Sequence, residues 1–244
     1  MSPSRSCDLF FEKITSMTIQ EGRLDALLAQ INGGRATEAL TELDQLLEML
    51  PANPALLGLR AEALRLCGRF AEAVEAFKLA AEKGAGARNW LAAGILLAAM
   101  RTTDHALQCL LKAHAQAPDN DEVLDALITT CFNANRQHEG IEFARLQLTV
   151  SRNPRLLTHA ALLLQSNDCY EESSNAFKKI LQLAPEDPAV IGAALVPARF
   201  TCDWDWIEAL QQRIGTWYDQ AAFDLPQEYP LCLLYTSPSP RDRG

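Results

Sequence analysis

Cysteine and histidine are the side chains of this 244-residue chain best suited to metal ligation or nucleophilic catalysis, and their spacing argues against both. Seven cysteines, at 7, 67, 109, 131, 169, 202 and 232, include no Cys-x-x-Cys pair. His105, His114, His138 and His159 never fall at i, i+4 beside a further ligand, the arrangement a helical zinc site requires. No metal site is therefore expected. An odd number of scattered cysteines fits free thiols in a reducing compartment better than a disulfide framework. Cys67 and Cys109 have no readable base nearby and read as small hydrophobes. His159, beside Ala160 and Ala161 with no carboxylate close in sequence, reads as a structural histidine. No catalytic residue can be placed.

Composition narrows the remaining classes. The chain is 48% hydrophobic with a formal charge of -9, enough apolar material for a substantial core. Its longest apolar stretch, Trp90 to Met100, is far short of a membrane span. The opening Met1-Ser-Pro-Ser-Arg-Ser-Cys-Asp leads into Phe10 and Phe11 without the apolar block of a secretory signal. A soluble, cytoplasmic protein is the expectation. Phosphate binding needs a basic patch, and none is visible, so neither nucleic acid nor membrane is an expected partner.

The elements that would position any site follow from a repeat. Ala39, Ala73, Ala106, Gly140 and Ser173 recur at steps of 33 or 34, each inside a helical pattern, and Pro51, Pro118 and Pro185 stand 67 apart. Such a period signals a solenoid of helix pairs. In the clearest unit Pro54 opens a first helix with Leu57, Ala61 and Leu64 on one face; Gly68 breaks it; and Phe70, Ala73, Phe77 and Ala80 follow on a second. The i, i+3, i+4, i+7 spacing gives each helix one buried stripe. Ala73 has the place where two helices cross, and Phe77 fills the space one turn below. The expected organisation is a lead-in over 1–19 and five units over 20–53, 54–86, 87–120, 121–153 and 154–187. A partial repeat with a linker helix then covers 188–231, and a tail covers 232–244.

A small residue at position 8, Ala or Gly at 20, an aromatic or Leu at 24, Ala at 27 and Pro at 32 resembles the tetratricopeptide repeat over roughly residues 20–187. The family's usual Tyr at position 11 is replaced by Leu64, Leu97, Cys131 and Leu164, which preserves packing. The resemblance implies an all-α, right-handed superhelix of about five helix pairs with a terminal partial repeat and capping helix. It also implies that positions 2, 5, 9, 12 and 13 of each first helix line a groove. Here these include Arg65, Arg88, Ile95, Asp125, Thr129, Phe132, Asn133, Arg155, Thr158 and Gln165, a mixed surface suited to an extended peptide or protein acceptor. The plainer reading is that any one of them is merely solvated, with Phe132 as the strongest anchor candidate. Two known uses of such grooves fit poorly. Gly58, Glu62, Leu91 and Ile95 do not supply the Lys and Asn of the chaperone carboxylate clamp, and Leu59, Ala92, Ala126 and His159 do not form an asparagine ladder.

After Pro185 a sixth first helix begins, and the chain then gives Cys202-Asp203-Trp204-Asp205-Trp206 where Ala at position 20 would be approaching. Cys202, Asp203 and Trp204, followed by an amphipathic stretch from Ile207 to Trp217, resemble the junction between repeats and catalytic region in O-linked N-acetylglucosamine transferases of the SPINDLY type. The resemblance implies a parent enzyme that moves N-acetylglucosamine from UDP to Ser or Thr hydroxyls. The chain as given would hold the acceptor-binding repeats, no catalytic residue and no cofactor. Three alternatives stand beside it. Trp204 and Trp206 could simply cover the end of an array in a free-standing adaptor; Asp203 could serve as an N-cap; or another enzyme could follow the repeats. The stretch Cys232 to Asp242 agrees residue for residue with one translated frame of a transposon sequencing adapter, so residues 232–244 are expected to be non-native.

Overall fold

The computed structural model describes residues 22–219; the expected lead-in over 1–19 and the adapter-like tail over 232–244 lie outside them. Among the described residues all regular structure is helical. A helix through residues 22–32 (α1) is followed by α2 (Ala36–Met49), α3 (Pro54–Leu66), α4 (Phe70–Ala80) and a π turn over Ala81–Ala85. Then come α5 (Ala87–Ala99), α6 (Thr103–Gln116), α7 (Asp121–Asn133) and α8 (Gln137–Val150). The last four are α9 (Pro154–Ser166), α10 (Tyr170–Leu183), α11 (Pro188–Phe200) and α12 (Trp204–Asp219). The chain divides into two compact units after Asn135, the first holding α1 to α7 and the second α8 to α12.

Four first helices, α3, α7, α9 and α11, start where a short polar side chain can satisfy free N–H groups. Asn53 Oδ1 accepts from the N–H of Ala55 and Leu56 at 3.0 and 3.2 Å, Asn120 from Glu122 and Val123, Asn153 from Arg155, and Asp187 from Ala189 and Val190. Three of these caps precede a proline at the first helical position, whose fixed φ and missing N–H suit that place. Helix α5 departs. The preceding unit, 54–86, lacks the closing proline; the π turn with Gly84 (φ 99°) and Gly86 (φ 83°) makes the connection to α5 instead.

First and second helices are joined by a turn that is itself periodic. One left-handed residue recurs at Gly34, Gly68, Arg101, Asn135, Asp168 and Cys202. In five of these turns the next N–H closes back onto the preceding helix, Arg35 to the Gln30 carbonyl at 3.0 Å, Arg69 to Leu64, Thr102 to Leu97, Cys169 to Leu164 and Asp203 to Ala198. Cys202 thus takes an ordinary turn position, and the terminal partial repeat and capping helix take the form of one more helix pair, α11 and α12. The expected interruption of the array at Cys202 is a change of side chains; the backbone pattern continues through it.

Small residues sit where helices approach. Ala39, Ala73, Ala106 and Ser173 are fully buried, as is Ala61 on α3. In α5, a Cβ on Gly94 would lie 2.6 Å from Cγ of Leu110 on α6 and 3.3 Å from the Ala106 carbonyl oxygen, so glycine is what lets these two axes close. Phe77 fills the space below Ala73, and Lys112 Nζ covers the buried Trp90 ring at 4.2 Å to its centroid. In the second unit Ser173 Oγ donates to the Ala161 carbonyl at 2.9 Å across α10 and α9. Phe177, Ile180, Ile191, Ala194, Ile207, Leu210 and Ile214 form its continuous apolar core.

Candidate functional site

The residues singled out for a binding face lie on first helices, and each unit presents its own set. On α3 of the first unit, Arg65 is held by Glu62 one turn back, Nη2 to Oε1 at 2.5 Å and Nε to Oε2 at 2.9 Å. That carboxylate holds its guanidinium pKa above the ordinary arginine value, and the pair is largely self-neutralising. Arg88 at the start of α5 is exposed, and Ile95 two turns on keeps 50% of its surface in solvent. On α7, Asp125, Thr129, Phe132 and Asn133 share one stripe by their spacing. Thr129 and Asn133 are exposed, whereas Asp125 and Phe132 are half-buried. Their neighbours Leu124, Leu127, Ile128 and Cys131 are fully buried, so the helix itself separates a core face from an accessible one.

In the second unit, Arg155 on α9 is exposed. Thr158 returns its Oγ1 proton to the Pro154 carbonyl at 2.8 Å, a local bond that leaves little for a partner. Gln165 differs: its Oε1 is buried without a hydrogen-bond partner. An unpaired buried acceptor is costly, on the order of 1–3 kcal/mol, until a donor reaches it.

Three accessible residues escaped the sequence reading. Leu162 on α9 is 40% exposed, Phe200 at the end of α11 is 63% exposed, and Arg199 beside it is half-buried. The signal was present. Arg199 and Phe200 stand 34 residues after Gln165 and Ser166, at binding-face positions of a sixth first helix. Phe200 stacks on Tyr170 with ring centroids 4.0 Å apart and planes 5° from parallel, while the Tyr170 hydroxyl donates to Asp168 Oδ1 at 2.9 Å.

The junction residues separate into distinct roles. Cys202 is exposed and has φ 54°, a left-handed conformation that costs a Cβ-bearing residue on the order of 1 kcal/mol. Asp203 caps α12 by accepting from the Trp206 N–H at 3.3 Å, and its other oxygen meets Lys178 Nζ at 2.6 Å. Lys178 holds the carboxyl below its usual range. The expectation that both tryptophans cover the end of the array needs correction. Trp206 packs against the apolar core of the unit, whereas Trp204 is 71% exposed because its place at the first turn of α12 points it away from that core.

Nothing in these contacts assembles a nucleophile with a base. Among the described residues, Cys67, Cys109, Cys131, Cys169 and Cys202 are free thiols, and burial pushes the Cys109 pKa up, the direction opposite to activation. No three His, Cys, Asp or Glu side chains among the described residues are grouped to hold a metal ion. No helix among them is long and apolar enough to cross a membrane.

No protein-family model and no curated protein matches the chain. Solved structures do. PilF of Pseudomonas aeruginosa is similar at a TM-score of 0.62 and 17% identity over 88% of this chain and 96% of that one. The C-terminal part of a TPR repeat-containing protein from Cytophaga hutchinsonii is similar at 0.63 and 14%, over 79% of this chain and 80% of that one. YrrB, described as a TPR protein with an unusual peptide-binding site, is similar at 0.59 and 13%, over 79% and 96%. At such identities the likeness shows the fold: all-α, of the tetratricopeptide α-solenoid class.

Proposed function

We propose that this chain is a protein-binding scaffold whose first helices offer their accessible faces to an extended peptide or protein segment. The observation that carries this reading is the exposure of large apolar side chains at the binding-face positions of first helices, Ile95, Leu162 and Phe200, next to polar neighbours and above a filled core. Exposed apolar groups among polar ones are the usual material of an interface. YrrB, with its peptide-binding site, shares the fold, which supports the same use without identifying a partner. The reading needs no cofactor, and the free thiols favour a cytoplasmic setting. Phe132 tests it. For a peptide enriched by display selection on the immobilised chain, Phe132→Ala should weaken binding by about tenfold with little change in melting temperature. Unchanged affinity together with a large loss of stability would assign Phe132 to the core and remove the anchor.

A finer reading is that these repeats present protein acceptors to a glycosyltransferase region that follows them. It rests on the resemblance of Cys202-Asp203-Trp204 and the amphipathic α12 to the junction of SPINDLY-type enzymes. Turn geometry and capping also account for Cys202 and Asp203 without that role, so a free-standing adaptor is equally consistent. Sequencing the encoding DNA beyond the codon for Leu231 separates them. An open frame with two nucleotide-binding-type halves supports glycosyl transfer, and a stop codon soon after supports the adaptor.

A further inference from the structure

The second unit distributes its charge unevenly. Among its helical residues with described side chains, every carboxylate belongs to a second helix: Glu139 and Glu142 on α8, Glu171 and Glu172 on α10, Asp205 and Glu208 on α12. The first helices α9 and α11 contain no acid at all; their permanent cations are Arg155 and Arg199, and α9 also carries His159. In a chain of net charge -9 this is a local reversal of sign.

The reversal is not neutralised from within. Arg145 is engaged by both Glu142 and Glu172, at 2.6 and 2.7 Å, Arg136 by Glu139, and Lys178 by Asp203. Two carboxylates in the connecting loops are engaged elsewhere, Asp187 as the cap of α11 and Asp168 by the Tyr170 hydroxyl, and Glu186, exposed in the loop before α11, makes no ion pair with Arg155 or Arg199. Arg155 and Arg199 have no ion pair among the described residues. On the same two helices stand the exposed Leu162 and Phe200 and the buried, unpartnered Oε1 of Gln165.

We propose that α9 and α11 bind an extended peptide segment that is acidic and apolar together. Its carboxylates meet Arg155 and Arg199, a large apolar side chain covers Leu162 or the open face of Phe200, and a backbone N–H supplies the donor that Gln165 Oε1 lacks. Arginine suits the task because its planar fork pairs with a carboxylate through two hydrogen bonds. This rests on the scaffold reading above and adds the chemistry of the partner.

The test uses the full chain and three labelled peptides of equal length, in which Phe and Leu alternate with Glu, with Lys or with Gln. Fluorescence anisotropy reads their affinities at low and high salt. The Glu peptide should bind about tenfold more tightly than the Gln peptide, the order expected of two exposed arginine–carboxylate pairs. The preference should shrink with salt and vanish in Arg155→Gln/Arg199→Gln, whose melting temperature should match the parent. Preference for the Lys or Gln peptide, or an acidic preference that survives in the double variant, would overturn the proposal and leave the scaffold reading intact. Binding of none of the three would count against both.

Discussion

Lys178 on α10 and Asp203 at the start of α12 meet at 2.6 Å, and the same aspartate accepts from the Trp206 N–H. One side chain thus fixes the last described helix both to its own first turn and to the preceding repeat. Because Lys178 lowers the Asp203 pKa in the folded state, the stabilisation is present above the unfolded carboxyl value of about 4 and is lost as pH falls through the folded value. Asp203→Asn should keep most of the cap and lose the ion pair. The expected cost at neutral pH is up to about 1 kcal/mol, and in urea titrations the difference from the parent should shrink as pH falls below the unfolded carboxyl value and disappear once the folded carboxyl is protonated.

Gly94→Ala sets two effects against each other. Removing a mid-helix glycine is worth up to about 1 kcal/mol in propensity, but the new Cβ would fall 2.6 Å from Leu110 Cγ, in a side chain that is fully buried. Overpacking of this kind costs about 1–3 kcal/mol. Thermal unfolding should therefore show a net loss, and a gain in stability would mean that α5 and α6 can part without penalty.

Phe77→Ala should cost about 3–5 kcal/mol, as truncation of a buried aromatic does. Its measurement is the denaturant midpoint with an unchanged slope.

Ser174 is buried and its Oγ has no hydrogen-bond partner, unlike Ser173 beside it, which reaches Ala161. Ser174→Ala should raise stability by about 0.5–2 kcal/mol, since it removes an unpaired polar atom and improves helix propensity. Ser173→Ala should change it by less than about 1 kcal/mol, Ala being the residue that Ala39, Ala73 and Ala106 place at the same step of the repeat.

The repeat was legible because its signals are local and periodic: Ala73 and Phe77 each mark a packing role that any neighbouring helix would impose. The turns were only half legible. Gly34 and Gly68, and more weakly Asn135 and Asp168, announce a left-handed residue, but Arg101 and Cys202 adopt the same conformation under tertiary constraint, and nothing in their side chains says so. That is why Cys202 looked like a break. The accessible face was harder still, for spacing puts Leu162 and Phe200 at binding-face positions without revealing how much of each remains in solvent. Nor does sequence disclose that Glu172 belongs to Arg145 while Arg199 is left without a carboxylate.

The proposed binding face belongs to first helices and not to second helices. Hydroxyl-radical footprinting of the chain with and without a display-selected peptide measures this directly, because both sets expose oxidisable apolar side chains. Protection should fall on Ile95, Phe132, Leu162 or Phe200 and spare Leu79, Leu111 and Leu183. Protection of Leu79, Leu111 and Leu183 with the first-helix residues unchanged would contradict it.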